Sequence, residues 1–276
     1  MDEHGFNNPK GLYKKNKVDI ALIGDSQTEG YSVNSDETIS SFLKEVGFKT
    51  LNFGKGGNGT LIELATLKEY AEPLKPKIVL WIYVNNDLYD LAHEMNSLIL
   101  RKYLDENSFS QNLISKQNII DDILINYITK KLIEKKIEIK KENNKFGRAK
   151  KILKLYNFRS LINLQAQPIA LDKELFRLSK DILEKSKKLI SKWDGVLYFV
   201  YLPLLDEMIK KNNEENKNEI LLIANMLNIP IINIYQEAIT HPDLLSFFPL
   251  KGFGGHYNAK GNRFVSEIII NRLKDD

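Results

Sequence analysis

The sequence predicts an α/β protein, a three-layer α/β/α sandwich around a five-stranded parallel sheet. Three observations carry that reading. Short, β-branched apolar runs alternate with stretches of helical periodicity, the order that builds βαβ units. Each run stops at a glycine, a proline or a polar cluster. The 276 residues are 43% hydrophobic and 28% charged, enough to bury a sizeable core and too apolar for global disorder.

Taken in order, Val18–Ile23 is the first strand and ends at Gly24. Thr38 to Val46 reads as a helix. Thr50–Phe53 is the second strand, followed by Gly54-Lys-Gly-Gly-Asn-Gly59. Thr60-Leu-Ile-Glu63 has the form of a capping box, opening a helix to about Tyr70. Lys77–Tyr83 is the third strand, bounded by Pro76 and by Asn85-Asn86-Asp87. The alternation then breaks. Residues 88–170 are helical in pattern and charged, clearest from Asn118 to Ile139, with a break at Asn143-Asn144 and Gly147. This stretch is expected to be a helical insertion in a single domain spanning 1–276, not a separate folding unit. The pattern resumes with a helix over Leu171 to Lys192, a strand at Val196–Leu202 and a helix over Glu215 to Leu227. A fifth strand follows at Ile229–Ile234, and the last helix begins near Asn258.

Composition removes several classes of function. Without cysteine there is no disulfide, thiolate–metal or cysteine-nucleophile chemistry. No apolar run approaches the ~18 residues of a transmembrane helix. The N-terminal residues lack a basic-then-apolar signal pattern, so the chain as written is expected to be cytoplasmic. Net charge is +4, but Lys130 to Lys154 holds eleven Lys/Arg against three Glu, leaving about −4 on the rest. A nucleic-acid surface would interleave aromatics with that charge, and only Phe146 is present, so no nucleic-acid partner is expected. The stretch reads as a solvated helix surface or loop, or as a patch for an acidic partner such as headgroups, an anionic polymer or a protein.

In sheets of this kind ligands bind outside the carboxyl ends of the strands. Four polar clusters fall there: Gly24-Asp25-Ser26-Gln27-Thr28 after strand one, Asn52-Phe-Gly54-Lys-Gly56-Gly57 after strand two, Asn85-Asn86-Asp87 after strand three, and Gly255-His256-Tyr257-Asn258 before the last helix. Together they hold a hydroxyl nucleophile, a base, and amide donors for a developing oxyanion, the inventory of ester hydrolysis. The bland alternatives are a turn and helix N-cap at Asp25-Ser26, a turn asparagine at Asn86 and a helix-entry residue at His256. His4, His93 and His241 have no partners at metal-ligand spacing. Gly54–Gly59 formally matches G-x-G-x-x-G, but it follows the second strand, and no acidic residue ends the next strand at the distance a ribose partner needs.

These blocks, in this order, resemble the SGNH (GDSL-type) hydrolases. Gly24-Asp25-Ser26-Gln27-Thr28 is similar to the family's first block, and Gly57, five residues after Asn52, to its second. Val84-Asn85-Asn86-Asp87 resembles its third, and Phe253-Gly254-Gly255-His256 its last. The resemblance implies a flavodoxin-like sandwich and a serine esterase without metal or cofactor. It gives Ser26 the role of nucleophile and His256 that of base. It implies that the backbone N–H groups of Ser26 and Gly57 and the side-chain amide of Asn86 form the oxyanion hole, and that Asp25 and Asp87 organise the turns. Two positions depart from the pattern: Val84 replaces a glycine, and Phe253 stands where an aspartate usually orients the histidine. A backbone carbonyl at Nδ1, giving a Ser-His dyad, is one replacement, and Asp243 folding back is another. Loss of efficient turnover is the third outcome, leaving a non-catalytic glycan-binding protein on the same fold.

Asn85-Asn86-Asp87-Leu88 and His256–Gly261 also resemble a bacterial subgroup linked to surface-polysaccharide modification. That likeness implies a short acyl, chiefly acetyl, ester of a carbohydrate, with hydrolysis and O-acyl transfer both open. Asp2–Phe6 resembles an internal segment of relatives with more chain upstream, so the soluble part of an exported or anchored protein is the alternative to a cytoplasmic one. Leu88 to Leu104 is expected to form one wall of the substrate cleft, and Lys130–Lys154 to project away from it.

Overall fold

The computed structural model describes residues 1–14, 17–142, 173–210, 214–251 and 255–275. Five strands, β1 (Ile20–Gly24), β2 (Thr50–Asn52), β3 (Ile78–Tyr83), β4 (Val196–Tyr201) and β5 (Ile231–Asn233), form one sheet in the order β2-β1-β3-β4-β5. Every pair is parallel. The central strands are apolar on both faces because helices cover both. Ile20, Leu22, Leu80, Trp81, Phe199 and Tyr201 are fully buried, which is how parallel strands of α/β proteins read. The predicted five-stranded α/β/α sandwich is therefore present; β2 and β4 begin at the predicted residue, and β1, β3 and β5 begin one or two residues later than the apolar run that announced them.

Helices α1 (Ser26–Glu29), α2 (Ile39–Glu45) and α3 (Thr60–Thr66) come from the first half, α3 running on through a π-turn at Leu67–Ala71. α4 (Asp87–Glu94) and α5 (Leu98–Asp105) follow β3. α6 is Gln117–Glu142 and α7 is Lys173–Ser191. The remainder are α8 (Leu205–Lys210), α9 (Glu214–Met226), α10 (Ile234–Ile239) and α11 (Ala259–Asp275). α2 and α11 pack together in one layer, and α3, α4, α5, α7 and α9 make the other. α7 shows the cause most plainly. Leu175, Leu178, Ile182, Leu183, Leu189 and Ile190 recur at helical spacing and are all buried, at ~1.5–3 kcal/mol for each fully buried side chain.

The capping box expected at Thr60 is not formed. Gly59 is the N-cap residue and makes no side-chain cap bond. Glu63 is buried with both carboxyl oxygens lacking a partner among the described residues. The helix start is capped from outside: the Glu94 carboxylate, at the end of α4, accepts from the N–H groups of Gly59 (2.6 Å), Leu61 (3.0 Å) and Ile62 (3.3 Å). One buried acid thus satisfies three of the donors a helix N-terminus leaves open and meets the positive end of its dipole.

The chain divides into two compact units, Met1–Gln111 with Asp172–Asp276, and Asn112–Leu171. Residues 88–111 therefore group with the sheet, where Leu88, Leu91 and Tyr103 are buried. In the second unit, α6 contains the predicted helix and extends it at both ends. Its Ile119, Ile123, Ile125, Ile128, Leu132 and Ile133 are exposed. They are distributed around the helix and form no stripe, so no single face can be buried. The predicted break at Asn143-Asn144 and Gly147, and the Lys-rich stretch beyond Glu142, lie outside the described residues.

Candidate active site

β1 lies inside the sheet between β2 and β3, and the chain order reverses between it and β3, which opens a crevice at their carboxyl ends. β1 stops at Gly24. Asp25 then leaves the strand (φ −94°, ψ −146°) and caps the single-turn helix α1, its carboxylate accepting from the Gln27 N–H at 2.8 Å. Ser26 is the first residue of that turn. Gly54 is required by proximity, because a Cβ there would lie 2.4 Å from the Glu29 backbone nitrogen. The second-block loop can therefore lie directly on the serine turn.

Ser26 Oγ lies 2.8 Å from His256 Nε2, although 230 residues separate them in the chain. The hydroxyl also lies 3.2 Å from Asp25 Oδ2. It has one proton for two acceptors, and the shorter contact is the imidazole. Burial raises the Asp25 carboxyl above the ordinary aspartate range, while bonds from Gln27, Asn86 and Ser26 pull it back. The Asn86 amide, immediately before α4, donates to Asp25 Oδ2 at 3.3 Å and to Asp90 Oδ2 at 3.2 Å. It is therefore adjacent to the serine but engaged with carboxylates, so serving an oxyanion means exchanging one of those long bonds. Asp87 closes the turn after β3 by accepting from the Val84 N–H at 2.9 Å. Val84 is fully buried with no positive φ, so a side chain is accommodated where the family pattern has glycine.

The glycine loop is held by Glu29. One carboxylate oxygen takes Lys55 Nζ at 2.6 Å and the other takes the Gly56 N–H at 2.8 Å. A Cβ on Gly56 would sit 3.5 Å from the Ser26 Cβ, so the loop runs beside Ser26. Gly57 is exposed with φ +83°, a conformation that favours glycine. Among the described residues neither the Gly57 nor the Ser26 N–H makes a hydrogen bond. Two unengaged amides beside a Ser–His pair are the donors an oxyanion needs.

No described residue bonds Nδ1 of His256, and Phe253 lies outside the described residues. Asp243 is exposed, and its carboxylate takes Lys260 Nζ at 3.1 Å. Sequence reasoning passed over four residues: Gln27, Glu29, Glu94 and Tyr31. Tyr31 is 73% exposed, its ring centroid 5.6 Å from that of His256. An aromatic residue just after the first block was the available signal for Tyr31. The two glutamates reach their partners across the fold, and spacing alone does not announce that.

The chain has the fold of the SGNH hydrolases. Among solved structures it is similar to a lipase/acylhydrolase from Enterococcus faecalis, at 15% identity and TM-score 0.51 over 94% of this chain and 96% of that one. It is also similar to an acetyl xylan esterase, at 12% identity and TM-score 0.52 over 93% and 100%. A third likeness is to TesA, at 9% identity and TM-score 0.51 over 93% and 98%. No protein-family profile matches the chain, and no curated protein matches it in sequence.

Proposed function

We propose that the protein is a serine esterase acting on O-acyl esters. The observation that carries this is the 2.8 Å contact between Ser26 Oγ and His256 Nε2, with the free amides of Ser26 and Gly57 beside it. His256 takes the serine proton as Oγ attacks the acyl carbonyl. The carbonyl oxygen, now negative, is received by the two backbone N–H groups and by Asn86 once it turns from Asp25. Collapse expels the alcohol, protonated by the imidazolium, and leaves an acyl-Ser26 ester. Water, deprotonated by His256, attacks that ester and releases the acid. Asp25, Asp87 and Glu29 hold the turns that carry these groups.

A short acyl group, acetyl first, on a carbohydrate is the substrate class we favour. Its support is the subgroup resemblance of the third and last blocks, together with the fold shared with an acetyl xylan esterase. Transfer to another alcohol uses the same acyl-serine, and an added alcohol acceptor reports it. The test of the central reading is Ser26→Ala assayed on a chromogenic acetyl ester, with labelling by a fluorophosphonate in parallel. We expect activity to fall by at least ~10³-fold and labelling to vanish; a variant that turns over at the wild-type rate would overturn the assignment. Glycan binding by a wild type that neither turns over nor labels would leave a binding protein on this fold.

A further inference from the structure

Gln27 follows the nucleophile directly and is buried. Its side-chain Nε2 donates to the Gly255 carbonyl at 2.8 Å, and its Oε1 accepts from the Tyr257 N–H at 3.2 Å. Those two groups flank His256 on either side. A residue in a parallel strand makes the same pair of bonds, its N–H to the carbonyl before its partner and its carbonyl to the N–H after it. The Gln27 amide thus replaces a strand neighbour for His256. We propose that Gln27 is a positioning residue for the base, fixing the His256 backbone so that its imidazole meets Ser26. The proposal rests on the Ser26–His256 reading of the site.

The physical case is one of closure. Ser26 and Gln27 share one rigid turn capped by Asp25. Ser26 contacts the imidazole, and Gln27 grips the peptide groups around it, so nucleophile and base belong to one short ring of bonds. The far side is anchored as well: the buried Tyr257 hydroxyl donates to the Pro203 carbonyl at 2.8 Å, and its ring lies 4.6 Å from that of Phe248. With the backbone held, only the two side-chain torsions of His256 remain to be set. In a conventional triad a carboxylate at the second ring nitrogen restrains them; at this site the clamp restrains the backbone on which they turn. The amide is specific to the task. Leucine fills the space but cannot bond, asparagine is one methylene short, and an ionised glutamate turns an oxygen toward the Gly255 carbonyl.

The test compares wild type with Gln27→Leu, Gln27→Glu and Ser26→Ala on a chromogenic acetyl ester from pH 5 to 9, with thermal melting of each. For Gln27→Leu we expect kcat to fall ~10–100-fold with KM within about twofold, because misplacing a catalytic group affects turnover more than binding. Fluorophosphonate labelling should slow in proportion. For Gln27→Glu the ratio of its kcat to that of wild type should rise as pH falls, since a protonated carboxyl again offers one donor and one acceptor. A purely structural role would not move that ratio with pH. If Ser26→Ala is inactive while Gln27→Leu keeps the wild-type kcat, the clamp alone is refuted. If Ser26→Ala stays active, the esterase reading and the clamp fall together. Should Gln27→Leu not fold, the pH trend of Gln27→Glu decides, and a flat ratio refutes the proposal.

Discussion

At the scale of single residues the site depends on groups that each serve two purposes. Asp25 caps α1 and also holds the Asn86 amide and the Ser26 hydroxyl. Asp25→Ala should therefore cost about 1 kcal/mol for the lost cap, seen as a lower urea midpoint, and should also lower kcat by loosening Asn86. Tyr31 has no such structural load. Its exposed ring lies beside His256, and on the proposed function it is predicted to stack on the alcohol portion of the ester. Tyr31→Ala should raise KM several-fold for a sugar or aryl ester, with melting temperature and kcat nearly unchanged. Equal KM values for the two proteins on both esters would show that the ring does not touch substrate.

At the scale of elements the decisive contact is Glu94 on the start of α3. Burial raises this carboxyl above the ordinary glutamate range, and its bonds to three backbone N–H groups work against that rise. Glu94→Ala leaves those buried donors unpaired. A loss of ~1–3 kcal/mol is expected, measured by urea denaturation with an unchanged slope. Glu94→Gln keeps an acceptor oxygen and should lose less. The Gly54–Gly59 loop lies between β2 and α3 and is gripped by Glu29 at one end and Glu94 at the other. Loosening α3 should then also slow turnover through the Gly57 amide, so kcat is predicted to fall in the order wild type, Glu94→Gln, Glu94→Ala.

At the scale of the whole molecule the main liability is a pair of buried acids. Burial holds Glu63 and Asp87 well above the ordinary carboxylate range; repulsion from Asp25 and then Glu94 adds to the rise at Glu63, and repulsion from Glu63 and then Asp25 adds to it at Asp87. An acid whose pKa is higher folded than unfolded stabilises the fold most below its unfolded value. That contribution is lost as pH rises through the raised folded value. The urea midpoint should accordingly decline as pH climbs from the acidic side through neutrality, and the slope should flatten in Glu63→Gln/Asp87→Asn. An unchanged slope in the double variant would assign the pH dependence elsewhere. Much of this architecture was legible beforehand. Val18–Ile23, Lys77–Tyr83 and Val196–Leu202 announce buried parallel strands by apolar content alone; Ser26 and Asn86 follow the first two of these, Gly57 follows the second strand, and His256 comes just before the last helix. What the pattern could not reveal were contacts made at long range. Glu63 sits where a capping box predicts it, yet the cap comes from Glu94. Helices α8 and α10 are too short for periodicity to register, and Gln27 looks like an arbitrary residue until His256 is folded back 229 positions away.

The N-terminal segment carries a last consequence. β2 lies at the border of the sheet, and its outward backbone groups at Asn52 are both taken by the Asn8 side chain, at 2.9 and 2.8 Å. Asn8 is itself fixed by Asp2 at 2.9 Å. An uncovered border strand is a template on which a second chain can add its own strand, the first step toward ordered aggregates. A single asparagine is therefore placed as a stopper on sheet growth, at the strand whose following loop carries the Gly57 amide. Asn8→Ala should leave the monomer folded but raise the rate at which concentrated solutions scatter light below the melting temperature, and the aggregates should bind a cross-β dye. Scattering no faster than wild type would mean that the three-residue length of β2 is protection enough.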